Sequence, residues 1–250
     1  MSKEKYRIVL DDDLFKDYHK FKNGEKLEKE EVERIKCLLH YFKGELITNI
    51  AQYERTGLPL NIGLKKKLAQ SGLRKQSKEE LAQSHTLYKV ILCCGRSDFP
   101  YVNVMSDEEK IENNISSFYD IAEKRDKAIK HLKALCAGAK SIAIYDKYFN
   151  NEKEDRNINT LIKILPTKTL SISFSHISDD GIKKLKSTCQ DWEPQIDTTL
   201  KGRHDRYIIV DDTLEIVLSS GFDHLSADSS DFMYVVRATS KSRFSPTITQ

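Results

Sequence analysis

The sequence predicts an α/β protein in two units: a mostly helical module over residues 1–138, then a sheet with helices against it over 139–238, with a tail at 239–250. Three observations carry this. Apolar residues recur in steps of three and four through 26–56 and again through 106–138, the period of one helix face. Past Gly138 that rhythm gives way to short β-branched and aromatic runs alternating with helical ones, the order of βαβαβ units. And 250 residues with 39% hydrophobic side chains suffice for one large core or two modest ones.

The first module begins with a strand-like run, Tyr6 to Leu10, and an acidic turn, Asp11-Asp12-Asp13. Val32, Ile35, Leu39, Phe42, Leu46, Ile50 and Tyr53 then mark one face of a long helix, which Gly57-Leu58-Pro59 ends. Ser77-Lys78-Glu79-Glu80 offers a capping box for a further helical turn, and residues 86 to 93 read as a strand. Ser106 with Glu109 forms a second capping box. It opens a helix through Ile111, Ile115, Phe118, Ala122, Ile129, Leu132 and Cys136, with Arg125 in the one slot missing from the series. Such a seam suits another helix, from this chain or from a second copy, and marks the joint between the units.

In the second unit the expected elements are a strand at Ser141 to Tyr145, a helix at Ile158 to Leu165, a strand at Thr169 to Phe174, a helix at Ser178 to Cys189 and a strand at Glu193 to Thr198. A hairpin follows, Tyr207 to Val210 and Leu214 to Leu218 about the turn Asp211-Asp212-Thr213, then a strand at Phe232 to Val236.

Composition bounds the function. Lys and Arg number 41 against 38 Asp and Glu, a net charge of +3, so bulk charge does not advertise a nucleic-acid protein. No signal peptide or apolar span of membrane length is visible, so a soluble cytoplasmic protein without a transmembrane segment is expected. The five cysteines have no C-x-x-C pair and no adjacent histidine ligands; they read as buried thiols of a reducing compartment, with no metal and no cofactor expected. The run Lys65 to Lys78 holds six cations, enough for several phosphates if it lined a groove with Lys201 and Arg203, against the commoner alternative of a solvated helix face.

The chemistry concentrates in His204-Asp205-Arg206 and the segment Leu218 to Leu225. On an extended strand, His204 and Arg206 leave from the same face, so an imidazole and a guanidinium can converge on one anion. Ser219 and Ser220 bring hydroxyls, Asp223 a carboxylate, and Gly221 lets the backbone approach a ligand or take up positive φ. A strand histidine satisfied by a neighbour is the plain alternative for His204 alone; its arrival with Arg206, Asp211 and the Ser-Gly turn favours a phosphate site. His131-Leu132-Lys133 also spells H-x-K, but it lies inside a helical pattern with Gly138 in place of the aspartate, and is read as helix.

At these residues the chain resembles the phospholipase D superfamily, whose motif reads H-x-K-x4-D followed after a strand by G-S-x-N. His204 and Asp211 match in type and spacing, Arg206 takes the lysine position, and Ser220-Gly221-Phe222-Asp223 stands in place of G-S-x-N. It is most similar to the phospholipase-D-like domain that follows MIT domains, with its H-D-R strand and G-L-D turn, over about residues 140 to 238. The resemblance implies a single αβα-sandwich domain in which Ile144 to Tyr148 is the first strand and its exit. It implies a histidine nucleophile, His204, with Arg206 and the Ser220/Gly221 region holding phosphate oxygens and Asp211 supporting the strand or a partner histidine. Lys201 and Arg203 add substrate-binding cations.

Two readings follow. In the first, one H-x-R motif per chain makes an active homodimer, a phosphodiesterase of nuclease type acting on nucleic acid, with bacterial antiviral defence as a suggested setting. In the second, arginine for lysine and aspartate for asparagine mark a domain that binds phosphoinositide, nucleic acid or a protein partner without turnover, as the MIT-associated relatives do. In that case Asp223 neutralises Arg206.

Overall fold

A computed structural model describes residues 8–41, 45–106, 109–111, 114–200 and 206–239. The chain divides into two compact units between Asn113 and Asn114, so residues 114–138 go with the second unit.

In the first unit, three short strands, β1 (Val9–Leu10), β2 (Ile91–Cys93) and β3 (Tyr101–Asn103), form a parallel sheet in that order. Helices α1 (Asp12–Lys22), α2 (Lys29–Tyr41), α3 (Ile50–Thr56), α4 (Ile62–Gln70) and α5 (Lys78–His85) supply most of its regular structure. The acidic turn is the start of α1: Asp11 caps it, its carboxylate accepting from the Leu14 amide at 2.9 Å, and Asp12 and Asp13 lie at the positive end of the helix dipole. The long helix expected over 26–56 is two. Leu46 forms a parallel bridge with Ile8, and the fully buried Asn49 caps α3 by accepting from the Gln52 amide at 2.9 Å, which restarts the helix. Gly57, at φ +68°, ends α3 as the sequence predicts, and Ser77 and Glu80 form the expected capping box on α5.

A short strand, β4 (Glu109–Ile111), precedes the division, and β5 (Asn114–Tyr119) follows it, where the sequence predicts helix. Ile115, Ser117 and Tyr119 alternate inward along β5, and the helix proper, α6, spans only Asp126–Cys136. Arg125 sits just before α6, where its guanidinium donates to the carbonyls of Asp120 at 3.0 Å and Ser230 at 2.7 Å. His131 lies on α6, buried, 2.7 Å from the Tyr234 hydroxyl, in line with the helical reading of His131-Leu132-Lys133.

The remaining elements are β6 (Ser141–Tyr145), α7 (Glu154–Ile164), β7 (Leu170–Phe174), α8 (Asp179–Thr188), β8 (Trp192–Ile196), β9 (Arg206–Val210), β10 (Leu214–Leu218), α9 (Phe222–Ser226) and β11 (Phe232–Ala238). Within the second unit seven strands run in the order β5-β11-β10-β9-β6-β7-β8, parallel across β6, β7 and β8 and antiparallel elsewhere. The fold class is mixed α/β.

The two parallel crossovers step the same way along the sheet, which puts α7 and α8 on one face. Helices α6 and α9 pack against α7 and join that layer. Ile142, Ile144, Ile172, Phe174 and Trp192 are buried beneath the helices, while Ser171, Ser173, Glu193 and Gln195 alternate to the other side, half-buried or exposed. Among the described residues of this unit the helices thus form one layer, where the expected αβα sandwich has two. No helix among the described residues is long and apolar enough to cross a membrane, and none of their His, Cys, Asp and Glu side chains gather in threes that could hold a metal ion.

Candidate functional site

The sheet's topology brings distant segments to one edge. Because β9 runs antiparallel to β6 with Tyr207 opposite Tyr145, Arg206 at the start of β9 stands beside Asp146 at the exit of β6. Because Leu218 pairs with Arg206 across the β9–β10 hairpin, the chain leaving β10 at Ser219 to Asp223 arrives there too. This is the carboxyl end of the parallel strands, where open α/β sheets hold their ligands.

A cleft of about 190 Å³ opens at this edge, lined by Asp146, Tyr148, Asn151, Lys153, Asn157, Arg206, Ser220, Gly221, Asp223 and His224. Phe222 fixes its floor. Fully buried, its ring lies 5.3 Å from that of Phe149, which in turn lies 5.2 Å from Phe174 on β7. Burying such a ring is worth about 2–3 kcal/mol, so the short helix α9 is anchored to the strand ends and carries Asp223 and His224 with it. Gly221 has φ −65°, an ordinary value; a Cβ there would meet the Asp223 Oδ1 at 2.6 Å, so a side chain would displace that carboxylate.

The charges are paired. Arg206 Nε lies 3.6 Å from Asp146 Oδ1, and Lys153 Nζ donates to Asp223 Oδ2 at 2.9 Å, with His224 Nε2 3.5 Å from that same oxygen. Aspartate 223 therefore engages Lys153 rather than Arg206, the partner expected from the sequence. Burial pushes the Asp146 carboxyl above its ordinary value of 3.8, opposed by the Tyr148 amide and the Arg206 guanidinium. Burial acts upward on Asp223 as well, but the hydrogen bond from Lys153 and the neighbouring His224 and Lys153 charges outweigh it and hold that carboxyl below the usual range.

Three polar atoms on this cleft, Arg206 Nε, Ser220 Oγ and His224 Nδ1, are buried without a hydrogen-bond partner among the described residues, as is the side-chain Oδ1 of Asn157. The exposed Tyr148 ring stands at the mouth, 5.5 Å from the Arg206 guanidinium carbon. His176, just past β7, is near enough to Asp146 to favour its ionised form, and its Nδ1 is likewise unpartnered.

Of the residues singled out from the sequence, Arg206, Ser220, Gly221 and Asp223 meet in the cleft. Ser219 borders it only through its backbone: its hydroxyl accepts from the Met233 amide at 2.8 Å, and its carbonyl accepts from Arg206 Nη1 at 3.5 Å. Asp211 stands at the opposite end of β9, in the hairpin turn at φ +49°, where its Oδ1 accepts from the Lys140 and Ser141 amides, both at 2.8 Å. It staples the hairpin to the start of β6. Lys201, Arg203 and His204 lie outside the described residues.

Sequence reasoning missed Lys153, His224, His176 and the role of Asp146. A signal existed for two of these: Asp146 follows a strand whose carboxyl end a ligand should meet, and His224 adjoins Asp223. Lys153 sits in a connection with no motif of its own.

No protein-family model matches the chain, and no curated protein does. Among solved structures it is similar to NucT from Helicobacter pylori, with 11% identity over 49% of this chain and 85% of that one at a TM-score of 0.29. It is similar also to a phospholipase D family member, Nuc from Salmonella typhimurium, at 13% identity over 51% and 86% and a TM-score of 0.29. A third similarity is to polyphosphate kinase from Porphyromonas gingivalis, at 7% identity over 81% and 32% and a TM-score of 0.31. Likenesses of this size carry no weight for the site, which stands on its own geometry.

Proposed function

We propose that the strand-end cleft receives the phosphate of a phosphodiester and that the protein cleaves it. One observation carries the binding: Arg206 Nε, Ser220 Oγ and His224 Nδ1 line a single cleft with their hydrogen-bonding capacity unused. Each such buried group costs about 1–3 kcal/mol left alone, and the oxygens of one phosphate offset all three. Lysine 153 adds a second cation.

Cleavage rests on His204, two residues before Arg206 in the sequence, the spacing that shares one face of an extended chain. Its imidazole attacks phosphorus, the phosphorus–oxygen bond to the leaving alcohol breaks, and that alkoxide takes a proton from the partner subunit's His204 in a homodimer. Water then attacks the phosphohistidine, gives up its proton to the partner subunit's His204, and frees the phosphomonoester. Nucleic acid is the substrate this reading favours, with bacterial defence as its suggested setting.

A second reading, binding without turnover, is favoured by the carboxylates. Asp146 and Asp223 already neutralise Arg206 and Lys153, and each adds repulsion for a diester that a catalytic phosphate site lacks. Its ligand would be a phosphoinositide, a nucleic acid or a protein partner. Assaying the whole chain beside His204→Ala and Arg206→Ala on single- and double-stranded DNA, RNA and a small aryl phosphodiester separates the two. Turnover lost in both variants supports cleavage; background turnover in all three with binding lost only in Arg206→Ala supports the second reading.

A further inference from the structure

Between Arg55 and Lys78 the chain contains no aspartate or glutamate. Within that stretch Lys65, Lys66, Lys67, Arg74 and Lys75 are all exposed, and none has an ion-pair partner among the described residues. The flanking cations differ: Arg55 and Lys78 both reach Asp12, at 3.2 and 3.3 Å. Five uncompensated positive charges thus sit together on α4 and the turn after it, in a chain whose total is only +3.

The surface is built to hold still. Leu68 and Leu73 are buried, fixing α4 and its exit to the core. Gly72 turns the chain at φ +76°, where a side chain would be strained. The turn's carbonyls then receive the first amides of α3, Ile50 N to Leu73 O at 3.3 Å and Ala51 N to Arg74 O at 2.9 Å. Asn49 donates to the Gln76 carbonyl at 2.7 Å, and Gln76 itself bridges Gly72 O and the Arg74 amide at 2.6 and 2.9 Å. Arginine 74 and Lys75 therefore project from a backbone tied on both sides, which lowers the ordering cost of binding.

From this we infer that α4 and the turn after it bind the phosphate backbone of nucleic acid without regard to sequence, as a site of their own in the first unit. A lipid surface fits less well. Ile62 is the one large apolar side chain of α4 that is mostly exposed, whereas a helix lying on a membrane presents a broad apolar face. Base reading is disfavoured too, because α5, the next helix, exposes Glu79 and Glu80 in its first turn, and carboxylates there repel a phosphate-lined groove. What remains is a set of uncompensated point charges, the kind of surface that a polyanion neutralises.

The test uses the whole chain with fluorescent DNA, single-stranded and duplex, in two unrelated sequences, between about 50 and 200 mM salt. Five phosphate contacts give a slope of log affinity against log salt of about −4.5 on duplex and −3.5 on single strands. The two sequences should bind alike. Replacing Lys65, Lys66 and Lys67 by Gln should shallow the duplex slope by about 2.7 and cost at least tenfold in affinity at the low-salt end, with the melting temperature unchanged. Lys66→Gln alone should take about 0.9 from the slope, and serves if the triple variant fails to fold. Arg206→Ala should take from the duplex slope no more than the one contact of the strand-end cleft, about 0.9, and should leave the loss caused by the lysine replacements in full, so the two sites fail separately. Wild-type slope and affinity in the lysine variants would overturn the inference, as would tighter binding to phosphatidylserine vesicles than to DNA.

Discussion

Arg206 and Asp146 face each other across the ends of two antiparallel strands, guanidinium nitrogen to carboxylate oxygen at 3.6 Å, too long for a hydrogen bond and close enough for charge. The aspartate is almost fully buried while the arginine keeps about a quarter of its side chain exposed. Such a pair is poised to part: a tetrahedral oxyanion entering the cleft offers Arg206 the in-plane acceptors that Asp146 does not.

Replacing Asp223 by Asn tests the cost of the second carboxylate. The variant keeps the shape of the floor, releases Lys153 from its 2.9 Å pair, and removes one negative charge beside the incoming phosphate. Affinity for a dinucleotide should rise roughly tenfold by calorimetry, the scale of one close charge near a protein surface. Unchanged affinity would mean that Lys153 does not face the ligand.

The two carboxyls give opposite pH signs. Burial raises the Asp146 carboxyl, so the stability linked to its protonation is present at acid pH and is lost as pH rises through its folded pKa. Asp223 is held low, so its contribution is present above its ordinary value of 3.8 and is lost as pH falls below that toward its folded pKa. As pH falls from neutrality toward 3.8, Asp146 is neutralised first and Arg206 is released. Asp146→Asn should therefore bind a phosphodiester more tightly than wild type at neutral pH, and the gap should close on acidification. A gap constant across the titration would contradict this.

Asp211→Ala separates scaffold from site. It strips the acceptor from two backbone amides, each at 2.8 Å, and should lower unfolding free energy by about 1–3 kcal/mol in urea titration. Phosphate affinity should not move, because the residue lies at the far end of β9. A selective loss of binding at wild-type stability would return it to the site.

Gly221→Ala should change the site more than the fold. The new methyl would meet Asp223 Oδ1 at 2.6 Å, so the carboxylate must swing from Lys153. We expect destabilisation of about 1 kcal/mol with a change in phosphate affinity of severalfold, read by thermal melts with and without ligand.

What the sequence made legible is what local chemistry decides. The run Tyr207 to Val210 and the run Leu214 to Leu218 are β-branched and flank a polar turn, and they form the hairpin expected. The helix expected from Ser178 to Cys189 is α8, with Ser178 as its cap. The misreading over 106–138 has a definite cause: Ile111, Ile115 and Phe118 satisfy a helical step, yet Ile115, Ser117 and Tyr119 also satisfy strand alternation. A partner more than a hundred residues away decided between them, since β5 is held by β11 with Ile115 opposite Val236. The cleft follows the same rule. Arg206 and the turn at Ser220 to Asp223 were visible as a motif, whereas Asp146 joins them through the antiparallel pairing of β6 with β9, and Lys153 through the connection that leaves β6.

The most direct measurement is a crystal of the whole chain soaked with tungstate, a tetrahedral oxyanion visible by its anomalous scattering. The account predicts a peak in the strand-end cleft within hydrogen-bond reach of Arg206 and Ser220, with the guanidinium drawn off Asp146. An unoccupied cleft at saturating tungstate, with Arg206 still facing Asp146, would contradict it.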